Sequence, residues 1–212
     1  IHLAALIGIP YSYFSPLAYI KTNMEGTYNV LESVRENKKR KLIITSTSEV
    51  YGSADYTPID EKHPLKPQSP YSASKIAADN LALSFYNSFN LPVIIMRPFN
   101  TFGPRQSERA IIPTIINQIL RSKDSTISLG NLYPMREFNY VEDVCDAYLK
   151  ILRFNKFGQV LNIGNGYSVS ILELVNLISN LMGKKVIIKK SRNRYRAKSS
   201  EVDLLKSDNR KI

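Results

Sequence analysis

The sequence predicts an α/β fold with a mainly parallel sheet, and three observations predict it. Short runs rich in β-branched residues alternate with longer stretches whose apolar residues recur every three or four positions. Polar or glycine-bearing loops follow the strand-like runs, where parallel sheets place their ligands. Prolines and capping residues open the helical stretches.

The elements follow in order. Residues 1–6, IHLAAL, read as a short buried strand and its turn. Ile20, Met24, Thr27, Leu31 and Val34 recur at spacings of four, three, four and three, the apolar face of a helix. KLIITSTSEVYG reads as a strand ending in a polar loop. A second long helix starts at Pro70, with Ile76, Ala77, Asn80, Leu81, Ser84 and Phe85 on its face. PVIIMRP is a short apolar strand with Pro98 near its end. Residues 110–121 are helical, residues 124–129 extended, and residues 138–141 lead into a helix carrying Cys145. Residues 159–163 form a strand ending in GNG, read as a substrate-side loop. Ser170 and Glu173 make a capping box, and residues 185–189 form a final strand.

Composition narrows the function classes. The chain has 212 residues and 43% hydrophobic residues, ordinary for a globular protein with one substantial core. No apolar run approaches the ~20 residues of a membrane-spanning helix, so a membrane partner is not expected. Cys145 is the single cysteine and reads as a buried structural thiol in a reducing compartment, in line with a cytoplasmic location. His2 and His63 join no metal-ligand pattern, so no metal is expected. The chain starts at Ile1 rather than Met and reads as an incomplete piece. Net charge is +11, and residues 184–212 carry eleven Lys or Arg against three Asp or Glu. Three readings of that stretch stand: a solvated basic surface, a diphosphate pocket, and, ranked last, a nucleic-acid surface.

Chemistry concentrates around Tyr71 and Lys75 in Y-S-A-S-K at the start of the second helix. Residues four apart share a helix face. An ammonium one turn away lowers a phenol's pKa, and the phenol can then take a proton from a sugar hydroxyl. Alone the pattern also fits a plain surface helix. Just upstream, Thr47 and Glu49 in TSTSEVYG put a hydroxyl and a carboxylate at the end of a strand.

In order, HLAA, TNMEGTYNVLE, TSTSEVYG, YSASK, RPFNTFGPR, MREFNYVEDV and NIGNG resemble the extended short-chain dehydrogenase/reductases that modify nucleotide sugars. T-S-E-V-Y-G looks like the GDP-mannose 4,6-dehydratase version of the loop. HLAALIGIPYSY and DEKHPLKPQSPYSASK look closer to dehydratases of nucleotide-linked N-acetylglucosamine, including the legionaminic acid type. The resemblance implies a Rossmann-like, doubly wound parallel sheet lacking its first βαβ elements, because the Gly-rich cofactor loop that precedes HLAA in the family is missing. Residues 1–100 would be a partial NAD-binding domain, and residues 101–212 would return to the sheet and form a substrate-binding lobe.

The resemblance also implies an NAD-dependent 4,6-dehydratase with Thr47, Glu49, Tyr71 and Lys75 as catalytic residues. Tyr71 would take the C4 hydroxyl proton, Thr47 would bind near O4, and Glu49 would remove the C5 proton before water leaves C6. With Ser48 where dTDP-glucose enzymes have Asp, Glu49 would also serve as the acid. Ala4, Ala5, Asn23 and Pro98, with Tyr71 and Lys75, match cofactor-side positions. Asn100, Arg136, Arg196 and Glu201, with Thr47, match nucleotide-sugar contacts. For Asn100 a self-fixed loop and for Arg136 a surface ion pair stand as alternatives, Ala4 and Ala5 would also suit tight core packing, and Arg105 would either bind ligand or order its loop. The two long helices, around Met24 and Leu81, would form a homodimer contact. A 4-epimerase, which shares Tyr71 and Lys75 without needing Glu49, is the enzyme rival. A cofactor-deficient fragment acting only as a binding module is the other.

Overall fold

The structure, a computed structural model, describes residues 1–38, 41–191 and 200–212. Its central sheet has three parallel strands in the order β1 (Leu42–Thr45), β2 (Val93–Pro98), β7 (Gln159–Ile163), with Leu42 opposite Val93 and Ile94 opposite Gln159. Side chains alternate across a strand, and both faces of this sheet are covered. Leu42, Ile44, Val93 and Ile95 face helices α3 (Gly26–Glu36) and α4 (Pro70–Phe89), where Leu31, Ala82 and Phe85 pack. Ile43, Ile94, Met96, Leu161 and Ile163 face α6 (Val141–Ile151) through Val144 and Ile151. This is the parallel α/β arrangement that the alternation predicts, in the doubly wound, Rossmann-like form that the resemblance implies.

A second core lies away from that sheet. Helices α5 (Ile111–Arg121) and α7 (Ile171–Leu181) pack Ile115, Ile119, Leu174, Val175 and Ile178 against a parallel pair of strands, β4 (Thr126–Leu129) and β9 (Ile187–Lys190). Two shorter pairs lie between the cores. β3 (Thr101–Phe102) runs parallel to β6 (Asn139–Tyr140), and β5 (Met135–Glu137) runs antiparallel to β8 (Ser168–Ser170). The Ser170–Glu173 capping box is present at the start of α7.

Several expectations are corrected. Residues 1–6 are not a buried strand: His2 makes one parallel bridge to Ile44, while Ile1 and Leu3 are exposed. The first long helix opens with two short helices, α1 (Ile9–Phe14) and α2 (Pro16–Tyr19), and a π-helical turn, Ile20–Glu25. The wider π-turn shifts the phase of the face, so Asn23, Thr27 and Leu31 are buried while Ile20 and Met24 face outward. On α4 the buried row is Tyr71, Lys75, Ala78, Asp79, Ala82 and Phe85; the predicted face missed all but Phe85, because most of the row's first half is polar. Cys145 is exposed.

The GNG stretch acts as a packing joint. Glu137 is wholly buried and accepts hydrogen bonds from the Asn165 and Ser207 amides and the Ser207 hydroxyl. A Cβ on Gly164 would sit 2.1 Å from Glu137 Oε1 and 2.2 Å from Ser207 Oγ. Gly164→Ala should therefore destabilise the fold by about 1–3 kcal/mol through overpacking. Gly26 lies in a helix with its nearest obstacle 3.9 Å from a new Cβ. Gly26→Ala should be neutral or stabilising by up to ~1 kcal/mol. Urea unfolding of both variants checks the contrast.

Candidate active site

The site forms where β1 ends and α4 begins. β1 is a β-branched run that stops at Thr45, and Thr47 caps the 3-10 turn Ser48–Tyr51 by accepting the Glu49 amide at 3.2 Å. Helix α4 starts with a capping box in which Ser69 and Ser72 satisfy each other's amides, with Pro70 at the first helical position. These two starts bring Thr47, Glu49 and Tyr71 together. Because Thr47 Oγ1 already accepts the Glu49 amide, its own proton is available to the Tyr71 oxygen, and that hydrogen bond favours the phenolate.

Tyr71 is 6% exposed. It lies under Ile9 and Tyr19, the Tyr19 ring meeting it edge-on at 6.1 Å. Burial pushes its phenol well above the ordinary range; Thr47 lowers it, and the charges of Glu49 and Asp79 raise it. The expected lowering by Lys75 is corrected here. The Lys75 ammonium is bound to the Thr45 carbonyl at 2.6 Å, and the hydrogen bond that eases ionisation comes from Thr47. Burial lowers the pKa of Lys75 itself, and Asp79 opposes that shift.

Behind Lys75 lies a buried network that motif reading missed. Asp79 Oδ2 accepts from Ser46 Oγ at 2.8 Å and Arg97 Nε at 3.1 Å, with Arg97 Nη2 at 3.0 Å. Arg97 Nη1 donates to the Tyr51 hydroxyl at 3.0 Å, and Tyr51 donates to Asn162 Oδ1 at 2.7 Å. Thr45 Oγ1 meets the Tyr148 hydroxyl of α6 at 2.7 Å. The signal was available: Asp79 stands four residues after Lys75 and eight after Tyr71, and Arg97 interrupts an apolar strand.

The cofactor-side positions surround the same spot. Asn23 is buried; its Oδ1 accepts the Leu6 amide at 2.8 Å, and its Nδ2 donates to the Leu6 carbonyl and to Ser74 Oγ, each at 3.0 Å. It therefore pins the Ala4–Ala5–Leu6 loop to α4. Ala4 is exposed and Ala5 half-buried, so neither is a core-packing alanine. Pro98, half-buried, ends β2.

The substrate-side positions form a second cluster. Asn100 follows β2 and donates to the Glu137 carbonyl at 3.1 Å while its own carbonyl accepts the Asn139 amide at 2.8 Å, so it fixes its loop to β5. Arg136 is buried, donates to the Met135 carbonyl at 3.0 Å and pairs with Glu201 at 3.4 Å. Glu201 lies in a strap, residues 200–208, that ties Gln68, Ile59 and Met135 together through backbone and side-chain hydrogen bonds. Arg105 is exposed at positive φ in its loop. Arg196 lies outside the described residues, as do its neighbours Arg192, Arg194 and Lys198. No group of His, Cys, Asp and Glu among the described residues could hold a metal ion, and no described helix is long and apolar enough to cross a membrane.

A buried Tyr–Lys pair on a helix beside a parallel Rossmann-like sheet, with a hydroxyl and a carboxylate at the preceding strand end, defines the short-chain dehydrogenase/reductase class. The comparisons narrow it. The model of the GDP-mannose 4,6 dehydratase family matches residues 1–212, and the chain belongs to that family. It is 38% identical over 192 residues to a dTDP-D-glucose 4,6-dehydratase of Dictyostelium discoideum, covering 85% of this chain and 44% of that relative. The crystal structure of DesIV, a dTDP-glucose 4,6-dehydratase from Streptomyces venezuelae with NAD and TYD bound, superposes with TM-score 0.89 at 28% identity, covering 100% of this chain and 64% of that one. A UDP-N-acetylglucosamine 4-epimerase from Methanobrevibacter ruminantium superposes with TM-score 0.89 at 29% identity, over 99% of this chain and 67% of that one. The chain spans about half the length of the curated relatives it matches.

The Asn23 clamp can be tested directly. Asn23→Ala leaves the Leu6 amide and carbonyl without these partners, which should cost about 1–3 kcal/mol. Hydrogen exchange at the Leu6 amide should rise sharply in the variant, and unchanged protection would show that another contact holds the loop.

Proposed function

We propose that the full-length protein is an NAD-dependent nucleotide-sugar 4,6-dehydratase. The observation that carries the reading is the convergence of Thr47, Glu49 and Tyr71 at one strand end, with Lys75 one turn below. A 4-epimerase needs only the tyrosine and lysine; a carboxylate beside the tyrosine is what proton removal next to an oxidised carbon requires.

The residues present suit the reactive end of the cofactor. Lys75 spends one of its three donors on Thr45, leaving two for hydroxyl groups. The Ala4–Ala5 loop carries no side chain beyond a methyl group and so admits a flat ring at close range. When bound, NAD supplies the hydride acceptor for C4 and the donor for C6. Tyr71, with its oxygen held by Thr47, takes the proton of the C4 hydroxyl. Glu49 takes the C5 proton, made acidic by the neighbouring ketone, and returns a proton to the C6 hydroxyl so that it leaves as water. The product is a 4-keto-6-deoxy sugar still joined to its nucleotide, with no net change in cofactor.

Asn100, Arg136, Arg196 and Glu201 are assigned to the nucleotide side of the substrate. Arg136 is buried beside the strap yet carries a fixed fork of donors, the geometry that suits a diphosphate. A homodimer through α3 and α4 is supported by the exposure of Tyr28 on α3, Phe89 on α4 and Met24 in the π-turn that leads into α3. The lone cysteine is in keeping with a cytoplasmic setting.

In the full-length protein, mass spectrometry should show one water lost from the sugar nucleotide. A product of unchanged mass and inverted C4 would favour the epimerase. Tyr71→Phe should stop the reaction before C5 exchanges with solvent. Glu49→Gln should suppress C5 exchange and water loss by about 10²–10⁴-fold while substrate still binds. A Glu49→Gln enzyme dehydrating at close to the normal rate overturns the assignment. Arg136→Ala should weaken nucleotide-sugar binding at least about tenfold, the scale of a hydrogen bond to a charged group. Replacing Lys189 and Lys190 together should change it little.

A further inference from the structure

Asp79 has no role in the chemistry above, yet its placement is unusual. It is 1% exposed, with Lys75 at 4% and Arg97 at 3%. A buried carboxylate is expected to have both oxygens satisfied. Oδ2 carries all the bonds, from Ser46 and Arg97, while Oδ1 has no hydrogen-bond partner among the described residues. A structural ion pair would be better served by a fork meeting both oxygens. Here Arg97 turns its second donor group to Tyr51.

The geometry gives that lopsided pair a purpose. Tyr71, Lys75 and Asp79 stand at successive turns on one face of α4, all buried. Two consecutive residues of the first strand's end hold the lower two: the Thr45 carbonyl takes Lys75 Nζ, and the Ser46 hydroxyl takes Asp79. Arg97, on the neighbouring strand, meets Asp79 through Oδ2 only.

We propose that Asp79 is a positioning residue of this site, a carboxylate held by Arg97 and Ser46 that keeps the Lys75 ammonium charged and seated beneath Tyr71. The inference rests on the dehydratase reading for its catalytic consequence, but the charge of Lys75 can be read without any reaction. The other titratable groups near Lys75 are His2 on the N-terminal segment, Tyr71 on α4 itself, Arg97 on β2 and, on the far side of Tyr71, Glu49. Only Asp79 and Glu49 among these are carboxylic acids, and Glu49 acts on Tyr71; burial raises the Asp79 pKa, and Arg97, Ser46 and Lys75 oppose that rise. In a buried site lysine is driven toward its neutral form. Burial lowers the Lys75 pKa and Asp79 is the group that raises it. Losing Asp79 moves its titration further down, so the ammonium that offers its remaining donors to the cofactor is neutralised at lower pH.

The test uses the full-length protein with ¹³C,¹⁵N-labelled lysine, the Lys75 signal being identified by its absence in Lys75→Met. Asp79→Asn should lower the Lys75 titration midpoint so that its ionisation constant rises about tenfold or more. The alkaline limb of the dehydration pH profile should move down with it, and Asp79→Glu should restore part of both. Asp79→Asn leaves Arg97 buried without its partner and risks unfolding. The double variant Asp79→Asn/Arg97→Met removes both charges and should fold, with the Lys75 midpoint still below wild type because Asp79 stands one turn from Lys75 and Arg97 behind it. An unchanged Lys75 midpoint in the folded variants overturns the proposal, as does a rate loss equal at every pH. Absence of dehydration in the wild type would count against the dehydratase reading alone, since the Lys75 titration would still report on Asp79.

Discussion

The end of β1 is the constraint on which the rest of the site depends. Thr45 and Ser46 are the last points at which the first strand can bond, and they spend those bonds on α4: a carbonyl to Lys75 and a hydroxyl to Asp79. That fixes both the depth and the rotation of the helix against the sheet. Tyr71, one turn above Lys75, then has only one direction to face, into the loop where Thr47 and Glu49 stand. A helix rotation of one residue, ~100°, would carry Lys75 and Asp79 off the Thr45 carbonyl and the Ser46 hydroxyl and leave those buried groups without these partners.

The same polar clamp explains which parts of the fold were legible in the sequence. Strands β1, β2 and β7 were visible because buried parallel strands are nearly continuous apolar runs. The start of α4 was marked by Pro70, and the start of α7 by Ser170 and Glu173. The face of α4 was misread because apolar periodicity assumes that what is buried is apolar. Here Tyr71, Ser74, Lys75 and Asp79 fill the inward row, and Ile76, Ala77 and Leu81 sit to its side. The π-turn at Ile20–Glu25 defeated the first helix in another way: one added residue in a turn shifts every later position, and no composition signal marks it.

The site was more legible than the surroundings that make it work. Thr47, Glu49, Tyr71 and Lys75 stand in short local motifs, so their types and order could be read directly. Asp79, Arg97, Ser46 and Glu137 act through partners 18 to 70 residues away in the chain, and local spacing cannot show such pairings. Asp79 was the exception that spacing would have found, since the i, i+4, i+8 row continues the tyrosine–lysine motif by one further turn.

The strap of residues 200–208 shows how the two cores are made to serve one site. Its Ser207 bridges to Ile59, in the long loop after the 3-10 turn, and its Leu204 bridges to Met135, at the start of β5. Val202 and Leu205 bury themselves against Val50, Tyr51 and Phe99, directly beneath the Thr47–Glu49 loop. The Arg136–Glu201 pair therefore sits on a segment already anchored to the catalytic loop by apolar packing. Tyr51 belongs to that apolar cluster and also to the Arg97–Asp79 network. A shift of the strap would be felt at Tyr51, and through Arg97 at the carboxylate beside Lys75, so the segment that carries Glu201 and the helix that carries Tyr71 are joined by packed and hydrogen-bonded contacts throughout.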